Sequence, residues 1–155
     1  MKGIKPMNSI WTFFLLAFVA GFTLPTQAGI NVQLNQWSQS AILAATISFA
    51  VGTIGLFVYA LCLRIPLPAV DTMSSHPWWI WTGGLLGAFF VAATIVLAPR
   101  LGATSMIALI IAGQMTTSVV LDHFGWLGYQ MHPISGVRIL GVFLLLGGVV
   151  LVRLF

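Results

Sequence analysis

Residues 41–63 read AILAATISFAVGTIGLFVYALCL, an apolar run without a single charged side chain. At a helical rise of about 1.5 Å per residue, such a run crosses the ~30 Å hydrocarbon core of a bilayer. Four further stretches qualify in the same way: about Ser9–Thr26, Ile80–Leu97, Ala103–Leu121 and Val137–Leu154. Each is expected to be helical, because an isolated strand would leave its backbone groups unpaired in lipid. The expected fold is therefore all-α. Five transmembrane helices form one integral membrane domain over residues 1–155.

Composition agrees with that reading. Hydrophobic residues make up 59% of the chain and charged residues 5%, against roughly a quarter charged in a soluble domain. There are two Asp, no Glu and six Lys plus Arg, giving a formal charge of +4. Charge this sparse supplies no clustered basic face, so a nucleic-acid partner is not expected. The basic residues suit short loops beside anionic headgroups. Cys62 stands alone in an apolar run and reads as a buried small hydrophobe. His76, His123 and His132 fall in predicted loops, and none shares a helix face with another ligand type. No metal or cofactor is expected. No phosphate-cradling loop, His-Glu-x-x-His or nucleophile–base pair is present, which argues against an enzyme.

The breaks between spans are marked by proline, glycine and polar residues. The first span ends around Leu24–Gly29, at Pro25, and the polar stretch Asn31–Ser40 follows. The second ends at Arg64-Ile65-Pro66-Leu67-Pro68. A wet loop, Asp71–Pro77, leads to Trp78, Trp79 and Trp81, where indoles meet headgroups and lipid together. Ala98-Pro99-Arg100 reads as a tight turn. Asp122-His123-Phe124-Gly125 closes the fourth span, and His132-Pro133 precedes the fifth. Lys2 and Lys5 before an apolar run, then Thr26-Gln27-Ala28, also match a secretory signal peptide. The four later spans exclude an exported soluble body, and Pro25 with Gln27, Gly29 and Asn31 reads better as a kinked helix end lining a pathway.

Orientation is weakly specified. The side of the N-terminus holds Lys2, Lys5, Arg64 and Arg138, and the opposite side holds Arg100 and Arg153. Four bases against two favour an inside N-terminus by a small margin, which also permits a population inserted both ways. Two copies inserted oppositely would form an inverted pair of five-helix units.

Small residues at helical spacing predict close helix packing. Gly83 and Gly87 form a Gly-x-x-x-Gly pair, and Gly52, Gly55 and Gly141 mark the second and fifth spans. Polar groups inside spans carry more information, since they must be satisfied in lipid. Gln114, Thr117, Ser118 and Asp122 share one face of the fourth span. Thr117 and Ser118 can bond their own backbone one turn back. Gln114 faces either a cavity or a partner helix. Asp122 reads either as an interfacial carboxylate paired with Arg64 or Arg138, or as a substrate- or proton-binding group. Gln27 and Asn31 share a face if the helix continues past Pro25. Trp11, Phe14 and Phe18 share another, for aromatic contact with solute or with lipid. No span has a carboxylate near its middle, so the usual deep proton or cation relay is missing.

Three segments together carry a family resemblance. They are Pro25-Thr26-Gln27-Ala28-Gly29-Ile30-Asn31 with Ser48-Phe49-Ala50-Val51-Gly52; Trp81-Thr82-Gly83-Gly84-Leu85-Leu86-Gly87-Ala88 with Pro99-Arg100-Leu101-Gly102; and Gly113-Gln114, Asp122-His123-Phe124-Gly125, Pro133-Ile134-Ser135, Arg138 and Gly141. The chain resembles the five-helix, single-domain branch of the bacterial drug/metabolite transporter superfamily. That resemblance implies a secondary transporter, expected to export a small metabolite or drug-like solute across the bacterial inner membrane. Larger relatives carry ten helices as two inverted halves, so a five-helix chain is expected to work as a homodimer, parallel or antiparallel, by alternating access. The similar small multidrug-resistance proteins use a glutamate in their first helix, and this chain has none. On both lines, Gln27, Gly29, Asn31, Gln114, Asp122, Arg138, Trp11, Phe14 and Phe18 are the candidate pathway or gating residues. The alternative is a non-transporting scaffold or accessory subunit, whose polar groups would all be consumed between helices.

Overall fold

A computed structural model describes residues 8–68 and 76–154, and every regular element among them is helical. Lys2, Lys5 and Asp71 lie outside the described residues. Five long helices follow in order: α1 (Asn8–Ser38), α2 (Ala41–Cys62), α3 (Gly83–Leu101), α4 (Ala103–Phe124) and α5 (Gly136–Leu154). All five contain a stretch long and apolar enough to cross a membrane. Short 3-10 turns, Trp78–Thr82 and Trp126–Gly128, precede α3 and follow α4. Contacts divide the chain into two compact units, up to Val96 and from Leu97 onward.

In the first unit, α1 and α2 are joined by Gln39 and Ser40 alone, so they pack as neighbours. Ser40 accepts the Leu43 N–H on its side chain at 3.3 Å and so starts α2. Serine is favoured there because its oxygen satisfies an amide that has no partner within the helix. At the other end, the Arg64 N–H donates to the Leu61 carbonyl and the Ile65 N–H to the Ala60 carbonyl, both at 3.0 Å. This paired closure needs a left-handed residue, and Arg64 supplies it at φ 53°. Ala44, Ala45, Val91 and Ile95 form the buried core of this unit, with Leu34, Ala41, Phe90 and Ala92 packed against it. A Cβ on Gly87 would lie 3.2 Å from Phe49 Cζ. That glycine therefore lets an aromatic ring sit against α3. Gly52, Gly55, Gly83 and Gly141 have nothing within 4 Å of a Cβ position.

The first helix corrects the sequence expectation. Its end was expected near Thr26, with a polar loop after Asn31, yet it runs unbroken through Pro25 to Ser38. Proline removes one N–H, so the Gly21 carbonyl one turn back loses its helical donor. The adjoining carbonyls gain donors instead: Thr23 Oγ1 donates to Ala20 at 2.7 Å, and Thr26 Oγ1 to Phe22 at 2.8 Å. Packing against α2 carries the helix onward, since tertiary contact outweighs local propensity. At 31 residues α1 is ~46 Å long, so roughly three turns exceed the hydrocarbon core. The polar residues after Asn31 are the part of α1 expected to fill that excess.

The second break also moves. Ala98-Pro99-Arg100 lies inside the last turns of α3, and the chain turns at Gly102, φ 77°. Glycine alone reaches that conformation without strain, whereas proline near a helix end is tolerated. Cys62 is exposed at the end of α2, not buried. Lipid solvates an apolar side chain there as well as a core would.

In the second unit, α4 and α5 pack together. Gly125, φ 62°, ends α4. His123 belongs to the last turn of α4, not to a loop as the sequence suggested. Its Nδ1 accepts the Ile134 N–H at 3.1 Å, and the Asp122 carbonyl accepts the His132 N–H at 2.8 Å. These bonds hold the connecting segment against the end of α4. Ser135 accepts the Arg138 N–H on its hydroxyl at 3.4 Å and starts α5. In each spanning window at most 17% of residues are buried within the chain. Lipid or another protein surface must cover the remainder.

Candidate functional site

The continuation of α1 past Pro25 decides the first cluster. With the helix intact, Thr23, Gln27, Asn31 and Asn35 recur every four residues and fall on one side. A groove of about 470 Å³ follows this side between α1 and α2. Val19, Phe22 and Ile30 give it an apolar wall, and Thr23, Thr26, Gln27 and Asn31 a polar one; Ser48 joins from α2. Asn31 is 3% exposed, and its Nδ2 is a buried donor without a hydrogen-bond partner. Leaving such a donor unmet costs about 1–3 kcal/mol. Thr23 and Thr26 spend their hydroxyl protons on their own helix. Gln27 is exposed within the groove.

Gly29 is exposed, two residues from both Gln27 and Asn31, and so points to the opposite side of α1. Trp11, Phe14 and Phe18 are exposed on the first half of α1. Trp11 meets Phe14 edge-on at 5.8 Å, and Phe18 meets Phe22 at 4.9 Å. Phe22 brings this aromatic series to the groove. Sequence reasoning passed over Phe22, Thr23 and Ser48 as site residues. Thr23 was readable by stepping back four from Gln27, and Phe22 by stepping on four from Phe18; Ser48 needed the pairing of α1 with α2.

The second cluster lies where α4 meets α5. Arg138 Nη1 donates to Asp122 Oδ2 at 3.3 Å and to the His132 carbonyl at 3.2 Å. Of the two bases considered for Asp122, the structure supplies Arg138. Both side chains are about a third exposed, 35% for Arg138 and 30% for Asp122. A pair this wet is worth at most ~1 kcal/mol. Its geometry matters more than its energy. Arg138 sits in the first turn of α5, where a cation opposes the helix dipole, and Asp122 offsets that charge. A second groove, about 290 Å³, opens beside the pair and is lined by Met115, Ser118, Val119 and Gly141 among others. Gln114 is exposed one turn further along α4 and is not among its lining. The sequence candidates thus form two groups, Gln27 with Asn31 in the first unit and Asp122 with Arg138 in the second.

A family described as "Putative inner membrane exporter, YdcZ" matches residues 12–151. The inner membrane protein YdcZ of Escherichia coli (strain K12) is 34% identical over 146 residues, covering 94% of this chain and 95% of that protein. No solved structure matches the chain.

Proposed function

Because the chain belongs to the YdcZ family of drug/metabolite transporters, we propose that two copies form an exporter of a small solute, working by alternating access. The chain is a multi-pass protein of the bacterial inner membrane, and its family is one of transporters rather than enzymes. The observation that carries the proposal is the α1–α2 groove. Asn31, one of its lining residues, has a buried side-chain nitrogen with no hydrogen-bond partner within the chain, a costly group to leave unmet in a membrane-spanning helix. The described residues that line the groove come from α1 and α2, and a second copy is the means of closing it. Five helices are half of the ten that larger relatives carry, and the small excess of bases on one side leaves both parallel and antiparallel pairing open. The scaffold reading requires every polar group to be consumed between helices, so it requires a second chain to meet Asn31 Nδ2, which has no partner within this one. Asp122 and Arg138, joined across α4 and α5 near one membrane face, are assigned to gating.

The test is flux. Purified protein in liposomes is given a panel of metabolites, amines and organic anions, with and without a pH gradient. Saturable flux of at least one solute is expected. Asp122→Asn is expected to change the rate while leaving the apparent affinity within about twofold, since a gating contact acts on turnover rather than binding. Silence across the panel from folded, inserted protein would move the assignment to a scaffold.

A further inference from the structure

None of the eight side chains lining the α1–α2 groove is ionisable in the physiological range. Among the described residues, no carboxylate waits for an ammonium there, and no base for a carboxylate. A charged solute entering this site would lose water without gaining a partner, beside a wall of Val19, Phe22 and Ile30. What stands beside the groove is a buried donor with no partner within the chain, Nδ2 of the lining residue Asn31. Thr23 and Thr26 have committed their protons to Ala20 and Phe22, and so present oxygen rather than hydrogen. At about 470 Å³ the groove falls within the ~300–1,000 Å³ of sites for drug-sized ligands.

We propose, resting on the transporter reading, that this groove binds uncharged solutes with an apolar or aromatic body and a carbonyl or hydroxyl oxygen, which accepts the Asn31 Nδ2–H. Asn31 is the specificity residue. Its nitrogen is covered in the present conformation, and the movement between access states uncovers it. Gln27, one turn away on the same side and exposed, supplies the second polar contact. Binding takes up no proton at this site.

The test uses the full chain in lipid nanodiscs and four ligands sharing one naphthylpropyl body. They end in a carboxamide, an isosteric isopropyl group, an ammonium or a carboxylate. Equilibrium binding is measured for each. The carboxamide is expected to bind roughly fivefold more tightly than its isopropyl counterpart, the worth of about one hydrogen bond, and to exceed both ions by more. In Asn31→Leu the carboxamide-to-isopropyl ratio is expected to fall severalfold, to what Gln27 alone supports. A fold defect would weaken both ligands together and leave the ratio unchanged. Should that variant fail to fold, the ligand ranking on the native chain still decides the charge rule. Tighter binding of the ammonium or the carboxylate, an unchanged ratio in a folded Asn31→Leu, or no binding of the carboxamide would each overturn the proposal. Flux in liposomes is read separately. A bound but untransported carboxamide would retain the site and sink the transporter reading. Saturable flux of a charged solute, insensitive to Asn31→Leu, would do the reverse.

Discussion

At the residue scale, three positions carry consequences out of proportion to their size. Arg64 closes α2 from the left-handed region, where a side chain costs roughly 1–2 kcal/mol. Arg64→Gly should recover part of that, up to ~1 kcal/mol, and raise the thermal midpoint in detergent by a few degrees. A fall instead would mean that the guanidinium has a contact worth more than the strain. Among the described glycines, Gly87 has the tightest approach of another side chain. Leucine there must displace the Phe49 ring and should cost about 1–3 kcal/mol, whereas Gly83→Ala, facing open space, should stay within ~0.5 kcal/mol. Equal losses at both positions would show that Gly83 is also packed, against a surface outside the chain. Asn31 was visible in the sequence as a polar residue four from Gln27. Its burial and its unmet amide were not, since both depend on which helix lies across from it.

At the element scale, the apolar runs made five helices legible, and the same signal misled at both prolines. Pro25 and Pro99 each read as an end because proline stops helices in water. In α1 the threonines at 23 and 26 and the contact with α2 sustain the helix. In α3 the true stop is Gly102, whose positive φ no composition argument reveals. The lengthened α1 makes a direct prediction. In a Cys62→Ser background, Gln36→Cys should react rapidly with a membrane-impermeant maleimide in intact liposomes or after lysis, because it lies in the part of α1 beyond the hydrocarbon. Phe18→Cys should resist it under both conditions. Labelling at both positions would mean that α1 lies at the surface rather than across the bilayer. The Asp122–Arg138 pair illustrates the opposite case. The residues were readable, and the choice of Arg138 over Arg64 followed only from the packing of α5 on α4.

At the scale of the whole molecule, the missing burial is the main fact. Ile95 and Met106 are the largest side chains fully enclosed among the described residues, while α1 and α5 each bury only 6% of their spanning windows. Lipid can cover apolar faces, yet it cannot satisfy an amide or complete a polar groove. In the proposed exporter a second copy therefore serves function rather than solubility. Sequence could give the half-size of the chain and its weak charge bias. It could not give the groove, because that belongs to a pair of helices and not to either one.

The most direct test of this claim is a subunit titration. Active chain and a non-transporting variant, Gln27→Leu with Asn31→Leu, are mixed in equal amounts, allowed to exchange, and reconstituted at constant total protein. If both copies must be competent, flux of the transported solute falls to about a quarter of the all-active value, the random share of fully active pairs. A fall to only about half would mean that each chain carries solute alone, and would contradict the dimeric pathway.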